Sequence, residues 1–326
     1  MSTPDALTAG EMEHLVFMAT CAPSVHNTQP WQFVPTPDGL LLQRDRTRQL
    51  SVLDPDGREL LLSCGTAIHH LQVAARALAM DIEITLFPGD RLPDDVAQLR
   101  ITHGTSATDA EVSAAIAILH RHTPRGRFAD DRVPAAVLEQ LRIAAESQLG
   151  MFRVVQADEL LEVEVLVSRA EQSLLRIPGY ADELARWVWH GPQQQDRGDG
   201  LPQKAIDHGT DRAESLQGRQ FGAEPLPRPD EPPVAEHPTV VLLSTLADTP
   251  ADWVHAGQSL SALLLAATEH GLVAQPIGQV VDIPATRWAL QRHLGTVGAP
   301  QMLLRLGFGT SQPVSPRRPV AEVLHA

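Results

Sequence analysis

Cysteine is scarce: the 326 residues contain two, Cys21 and Cys64. They do not form a C-x-x-C pair, and two thiols cannot by themselves complete a four-ligand zinc shell. Both fall in apolar helical surroundings, so they read as buried thiols in a reducing, cytoplasmic compartment. No apolar run approaches the roughly 20 residues that a bilayer-spanning helix needs. The N-terminus lacks the basic-plus-apolar pattern of a secretory signal. Basic residues are also in deficit, with 26 Lys and Arg against 40 Asp and Glu and a formal charge of −14. That balance argues against an extended nucleic-acid surface or an anionic membrane as partner. G-x-G-x-x-G, the Walker A loop and H-E-x-x-H are all missing, which removes the usual support for dinucleotide, nucleoside-triphosphate and zinc-protease chemistry. His69 and His70 are adjacent and diverge on a helix. No Ser/His/Asp arrangement can be placed from spacing.

What is present starts with a 43% apolar fraction, enough for a sizeable core in one large domain or two ordinary ones. The stretch Ala22-Pro23-Ser24-Val25-His26-Asn27-Thr28-Gln29-Pro30-Trp31 stands between a helical pattern and the strand-like Gln32-Phe33-Val34. Pro23 and Ser24 stop the helix, and Pro30 restricts Gln29 to extended geometry. A hydroxyl, an imidazole and two carboxamides result within a few residues, a set that suits a flat heterocycle with alternating donors and acceptors. The same residues also fit a plain helix-to-strand connection whose Asn and Gln satisfy the local backbone.

Before that turn, Thr8 to Glu11 reads as a capping box followed by the stripe Met12, Leu15, Val16 and Ala19. After it, a hairpin is expected around Pro37-Asp38-Gly39, and Asp54 to Gly57 marks a turn or a helix start. A helix over 58–79, interrupted near Ser63-Cys64-Gly65, precedes strands at 81–87 and 99–102. Helices at 110–120, 134–147, 160–175 and 253–270 and strands at 151–155, 239–244 and 302–308 follow, with Gly271 closing the last helix. The second half echoes the first. Met12 to Leu15 aligns with Leu138 to Leu141, Gly65 to Ile68 with Gly257 to Leu260, and Ala74-Ala75 with Ala266-Ala267. Their common order indicates an internal duplication. Arg176 to Pro238 has no echo, is polar and ends Pro-rich, the profile of a surface insertion or a lid.

Three arginines and a hydroxyl crowd into Arg121-His122-Thr123-Pro124-Arg125-Gly126-Arg127. Such a loop can grip a phosphate monoester through guanidinium forks, or it can simply balance Asp130 and Asp131 in solvent.

Taken together these motifs resemble the nitroreductase-like FMN flavoproteins. Pro23, Ser24, Asn27, Gln29, Pro30 and Trp31 match the family's P-S-x-x-N-x-Q-P-W turn, and the His26 and Thr28 variant is similar to its Acg-like branch. Arg121, Thr123 and Arg125 match the R-[RH]-[ST]-x-R phosphate loop. Ala274 to Gln279 resembles the P-I-x-G stretch whose backbone faces flavin N5, with the glycine one position early and Gln279 in its usual place. Arg317-Arg318-Pro319 resembles the C-terminal arginine that reaches the phosphate.

The resemblance implies an α+β fold of two diverged halves, 1–105 and 106–326, forming an intramolecular pseudo-dimer with a lid at 176–238. The first half keeps the turn and the second keeps the phosphate loop, which implies one FMN per chain. Pro23, Ser24, His26, Asn27, Gln29, Arg121, Thr123, Arg125, Pro276, Ile277, Gly278, Gln279 and Arg317 are the implied cofactor contacts, with Asn27 at the ring and Trp187, Trp189 and Phe221 over its face. The implied activity passes hydride from NAD(P)H through FMN to a nitroaromatic, quinone or similar small acceptor, in a protein able to act as a monomer. The alternative is FMN storage under a closed lid. No side-chain acid or base is implied.

Overall fold

The computed structural model describes residues 7–89, 93–104, 106–123, 125, 128–189, 197–202, 206, 216, 219, 237–309 and 315–325. Helix α1 (Ala9–Thr20) starts at the expected capping box: the Thr8 hydroxyl accepts from Glu11 N, and the Glu11 carboxylate accepts from Thr8 N. The turn leads into the hairpin β1 (Trp31–Thr36) and β2 (Gly39–Arg44). Helix α2 (Arg58–Ala77) follows, then β3 (Met80–Leu86) and β4 (Asp95–His103). These strands form an antiparallel sheet of order β1-β2-β4-β3.

After α3 (Asp109–His120) the order repeats. Helix α4 (Ala135–Glu146) precedes β5 (Met151–Val154). Then come α5 (Leu160–Leu175), α6 (Tyr180–Trp187) and the short parallel pair β6 (Val188–Trp189) and β7 (Leu201–Pro202). Strand β8 (Thr239–Thr245), helix α7 (Pro250–Glu269), β9 (Val273–Ile277), α8 (Gln279–Asp282), α9 (Pro284–Leu294) and β10 (Ala299–Gly307) complete it. The second sheet is again antiparallel, in the order β5-β8-β10-β9. Counting strands within each half, the two sheets share one order, and α2 and α7 occupy the same place in it.

These two helices, each of 20 residues, form the centre. α2 runs through the segment expected to interrupt it: Ser63 returns its hydroxyl to Glu59 O, and Gly65 sits where a bare backbone is required. A Cβ on Gly65 would lie 2.1 Å from Val254 O, and one on Gly257 would lie 1.9 Å from Leu62 O. The glycines that align between the halves therefore face each other at the crossing.

The insertion differs from expectation in extent. The turn between β1 and β2 is tight, whereas its counterpart between β5 and β8 spans 155–238, so α5 belongs to the added segment. Its first part is core: Leu174, Tyr180 and Leu184 pack with Leu50 and Leu53. The C-terminus returns to the first sheet, where Val323 O accepts from Phe33 N and His325 N donates to Phe33 O. No helix among the described residues is long and apolar enough to cross a membrane.

Candidate functional site

The turn after α1 is held in an unusual backbone. His26, Asn27 and Gln29 have φ values of 47°, 55° and 49°. Left-handed non-glycine residues cost on the order of 1–3 kcal/mol each and persist where the surroundings fix them. Gln29 thus departs from the extended geometry expected before Pro30. Tertiary bonds override the local preference: Gln29 N donates to Ser24 Oγ (2.9 Å), its Nε2 to Gly198 O (2.7 Å), and its Oε1 accepts from Arg318 N (2.9 Å).

A cavity opens beside this turn. Pro23, Ser24 and His26 form one side, Thr123 and Arg125 another, and Gln275, Pro276, Gly278 and Gln279 a third. Leu62, Leu260 and Met302 supply apolar wall. A smaller recess adjoins it, lined by Asn27, Arg121, Thr123, Arg125 and Arg317. Four separate stretches of sequence thus converge on two adjoining spaces. The tail brings Arg317 there because Arg318 is buried against Gln29 and Trp31 and the following turn packs on the first sheet.

The recess is strongly cationic. Arg121 is buried and donates to Thr123 Oγ1 (3.0 Å), while its Nε has no partner among the described residues. Arg317 is half-buried and donates to the Cys21 and Ser315 carbonyls and to Asn27 Oδ1. Neither guanidinium meets a carboxylate among the described residues. Burial, with Arg317 nearby, pushes the Arg121 pKa down to about 9, and burial lowers Arg125 to about 10. His26 is held well below its ordinary value by burial first and by Arg219 and Arg125 second, so it is neutral. Uncompensated buried cations are costly without an anion. A phosphate dianion fits this recess in charge and donor type, and the adjoining cavity offers neutral polar groups and apolar wall for a flat ring.

Some expected contacts lie elsewhere. Ile277 is fully buried in the core with Val280, Leu290 and Leu303 rather than at the cavity, because strand alternation turns it inward. Gln29 lines neither space. Asn27 is in the recess rather than at the ring cavity, and its Nδ2 is committed to Gly200 O (2.9 Å) and Pro316 O (3.0 Å). Trp189 is buried, Trp187 lies under the Arg48 guanidinium, and neither lines the cavity. Phe221 falls outside the described residues.

Sequence reasoning missed Glu59 and Arg219. Glu59 is on the cavity wall and hydrogen-bonds to Arg58. Arg219, from the inserted segment, reaches His26 Nε2 (3.4 Å), the Tyr180 hydroxyl (3.2 Å) and Asp282. The Asp54-Pro55-Asp56-Gly57-Arg58-Glu59 run held a signal, charge at the start of a helix otherwise apolar, but its partners come from distant sequence.

A protein of Mycobacterium tuberculosis strain H37Rv, provisionally named NAD(P)H nitroreductase Rv3131, is 32% identical over 327 residues, taking in 98% of this chain and 92% of that one. The chain belongs to the nitroreductase family. The family model described as Nitroreductase matches residues 118–309. A second relative from the same strain, provisionally named NAD(P)H nitroreductase acg, is 29% identical over 329 residues, 99% of this chain and 98% of its own. Among solved structures, a nitroreductase with bound FMN from Desulfitobacterium hafniense aligns at 15% identity over 63% of this chain and 94% of that one, with a TM-score of 0.38.

In this nitroreductase chain Asn27 joins three segments: the turn, the strap at 197–202 and the tail. Asn27→Ala is therefore expected to leave the fold intact but to loosen the strap by about 1–3 kcal/mol, the cost of leaving buried carbonyls unpaired. Faster amide exchange at Asp199 to Leu201 checks this; unchanged protection would assign the strap's anchorage to Gln29 and Arg48, which bind Gly198 O and the Asp199 carboxylate.

Proposed function

We propose that the protein is an FMN-dependent NAD(P)H oxidoreductase of nitroreductase type, with one FMN per chain bound across both halves. The observation that carries this is the convergence of the 23–27 turn, the 121–125 loop, the 275–279 stretch and Arg317 on one cavity with a cationic recess. Arg121, Thr123, Arg125 and Arg317 would hold the phosphate. Pro23, Ser24, His26, Pro276, Gly278 and Gln279 would border the ring. Bound there, FMN would accept hydride from NAD(P)H and pass electrons to a quinone, nitroaromatic or similar acceptor. The chain's part is to hold the ring in the cavity with cations at one end.

The shared strand order and the facing glycines support reading 1–105 and 106–326 as the halves of a pseudo-dimer, sufficient as a monomer. The counterpart of the turn, after α4, closes directly on α7: Ser259 Oγ donates to Ala145 O (2.8 Å), and a Cβ on Gly150 would meet Ser259 Oγ at 2.3 Å. That packing supports a single site. The strap at 197–202 and Arg219 are the parts of the insertion that would act as its lid.

Purified protein is expected to be yellow and to release close to one FMN per chain on denaturation. A ratio near two would sink the single-site reading. Anaerobic NAD(P)H should bleach it. Flavin that stays oxidised would instead favour storage under a closed lid.

A further inference from the structure

Glu59 sits among charges that do not balance. Three carboxylates, Asp54, Glu59 and Asp282, gather around two guanidiniums, Arg58 and Arg219, and Glu171 adds a further negative charge beside Arg219; of this group Glu59 and Arg219 line the cavity. His26, which also lines the cavity and touches Arg219, is neutral and adds no charge. Arg125 is the remaining cation on the lining and belongs to the phosphate end. Carboxyls outnumber guanidiniums in this buried group, which favours a proton on one of them.

The hydrogen bonds say which carboxyl takes it. Asp54 accepts from the backbone N–H groups of Glu59 (3.0 Å) and Leu60 (2.9 Å) and so caps α2 as an anion. Asp282 accepts from both guanidiniums, one on each oxygen. Glu59 has a single bond, to Oε1, from an Arg58 nitrogen it shares with Asp282. Its Oε2 accepts no hydrogen bond among the described residues, and the residue is part of the cavity wall. Glu59 is the carboxyl least supported as an anion. Burial raises its pKa to about 8, with Asp282 and Asp54 adding to the rise and Arg58 and Arg219 opposing it.

A hydride donor leaves a proton to be found. Reduced nicotinamide hands on two electrons with one proton. Reduction of a quinone to a hydroquinone, or of a nitro group to a nitroso group with loss of water, takes two electrons and two protons. We propose that Glu59 holds the missing proton as a carboxylic acid and delivers it to the acceptor oxygen in the cavity. The Glu59 O–H bond breaks, the acceptor O–H bond forms, and the carboxylate is reprotonated from water. The proposal rests on the oxidoreductase reading above.

Glu59→Gln keeps the shape and the bond from Arg58 and removes the proton. The variant is expected to bind as much flavin as wild type but to reduce a quinone roughly 100-fold more slowly, the lower end of general-acid effects. It should also lack the decline in rate that wild type shows as pH rises through about 8. A second readout needs no turnover. A carboxyl with a raised pKa binds its proton in the folded state and not in the unfolded state between the ordinary glutamate value and about 8, so folding stability falls as pH rises through that window. Urea unfolding between those limits should show that slope in wild type and a shallower one in the variant. Equal quinone rates with equal pH profiles, or identical stability slopes, would overturn the proposal. Should the variant fail to fold, the infrared carbonyl band of a protonated carboxyl in wild type at neutral pH decides, and its absence refutes the assignment. If neither protein carries flavin, the oxidoreductase reading fails, and the stability slope still tests Glu59 alone.

Discussion

Arg121→Met is expected to strip the protein of flavin and, in the cofactor-free protein, to raise the unfolding midpoint. Losing a buried cation from a phosphate contact costs on the order of 2–5 kcal/mol of binding, roughly 30-fold to several thousand-fold in affinity. Stability should move the other way. Arg121 is buried beside Arg317 and faces no carboxylate among the described residues. Folding lowers its pKa, so the charged form is the one folding disfavours. The penalty is present at neutral pH and lifts only as pH climbs past about 9. A methionine of similar length removes that charge and keeps most of the packing, a change that replacements of buried charges put at about 1–4 kcal/mol. Flavin content and a denaturant titration of the stripped protein test both halves. Wild-type flavin content would make the 121–127 loop an ordinary basic turn, and a lower midpoint would make Arg121 a structural residue.

Gly257→Ala is expected to cost about 3 kcal/mol or more, or to abolish soluble expression. Overpacking a core usually costs about 1–3 kcal/mol because flexible side chains give way. Here the added Cβ would meet backbone, Leu62 O at 1.9 Å and the Gly65 Cα at 2.9 Å. Two central helices would have to separate, and they carry Glu59, Leu62, Ser63 and Leu260 into the cavity wall. Flavin affinity should fall with stability. Chemical denaturation and flavin release measure the pair, and an unchanged midpoint would mean the crossing can slide at little cost. Gly65→Ala, facing Val254 O, should behave alike.

Local signals were enough for most elements. Capping residues, the hairpin turn at 37–39 and the apolar stripes specify helices and strands through interactions within a few residues, so α1, α3, the first hairpin and both long helices were legible. The missed elements, α6, β6, β7, α8, α9 and β9, are short or mixed in composition and owe their form to packing. The runs that line the proposed site stood out in the sequence as well, because each is a short run with its own chemistry. Their convergence was not. It depends on a tail that crosses to the other sheet and on an insertion whose first part is core.

By itself the sequence determined the family and the repeated order of helices and strands, and it put forward the residues proposed to grip a phosphate. Tertiary structure alone decided which of them face the cavity. Ile277 turns inward by strand alternation, and Gln29 and Asn27 are drawn into hydrogen bonds with Gly198, Gly200 and the tail. Only the fold could bring Arg219 and Asp282 to the Asp54-to-Glu59 run, since the three lie on separate segments. A charge imbalance arises from distance and burial, and neither is written in the order of residues along the chain.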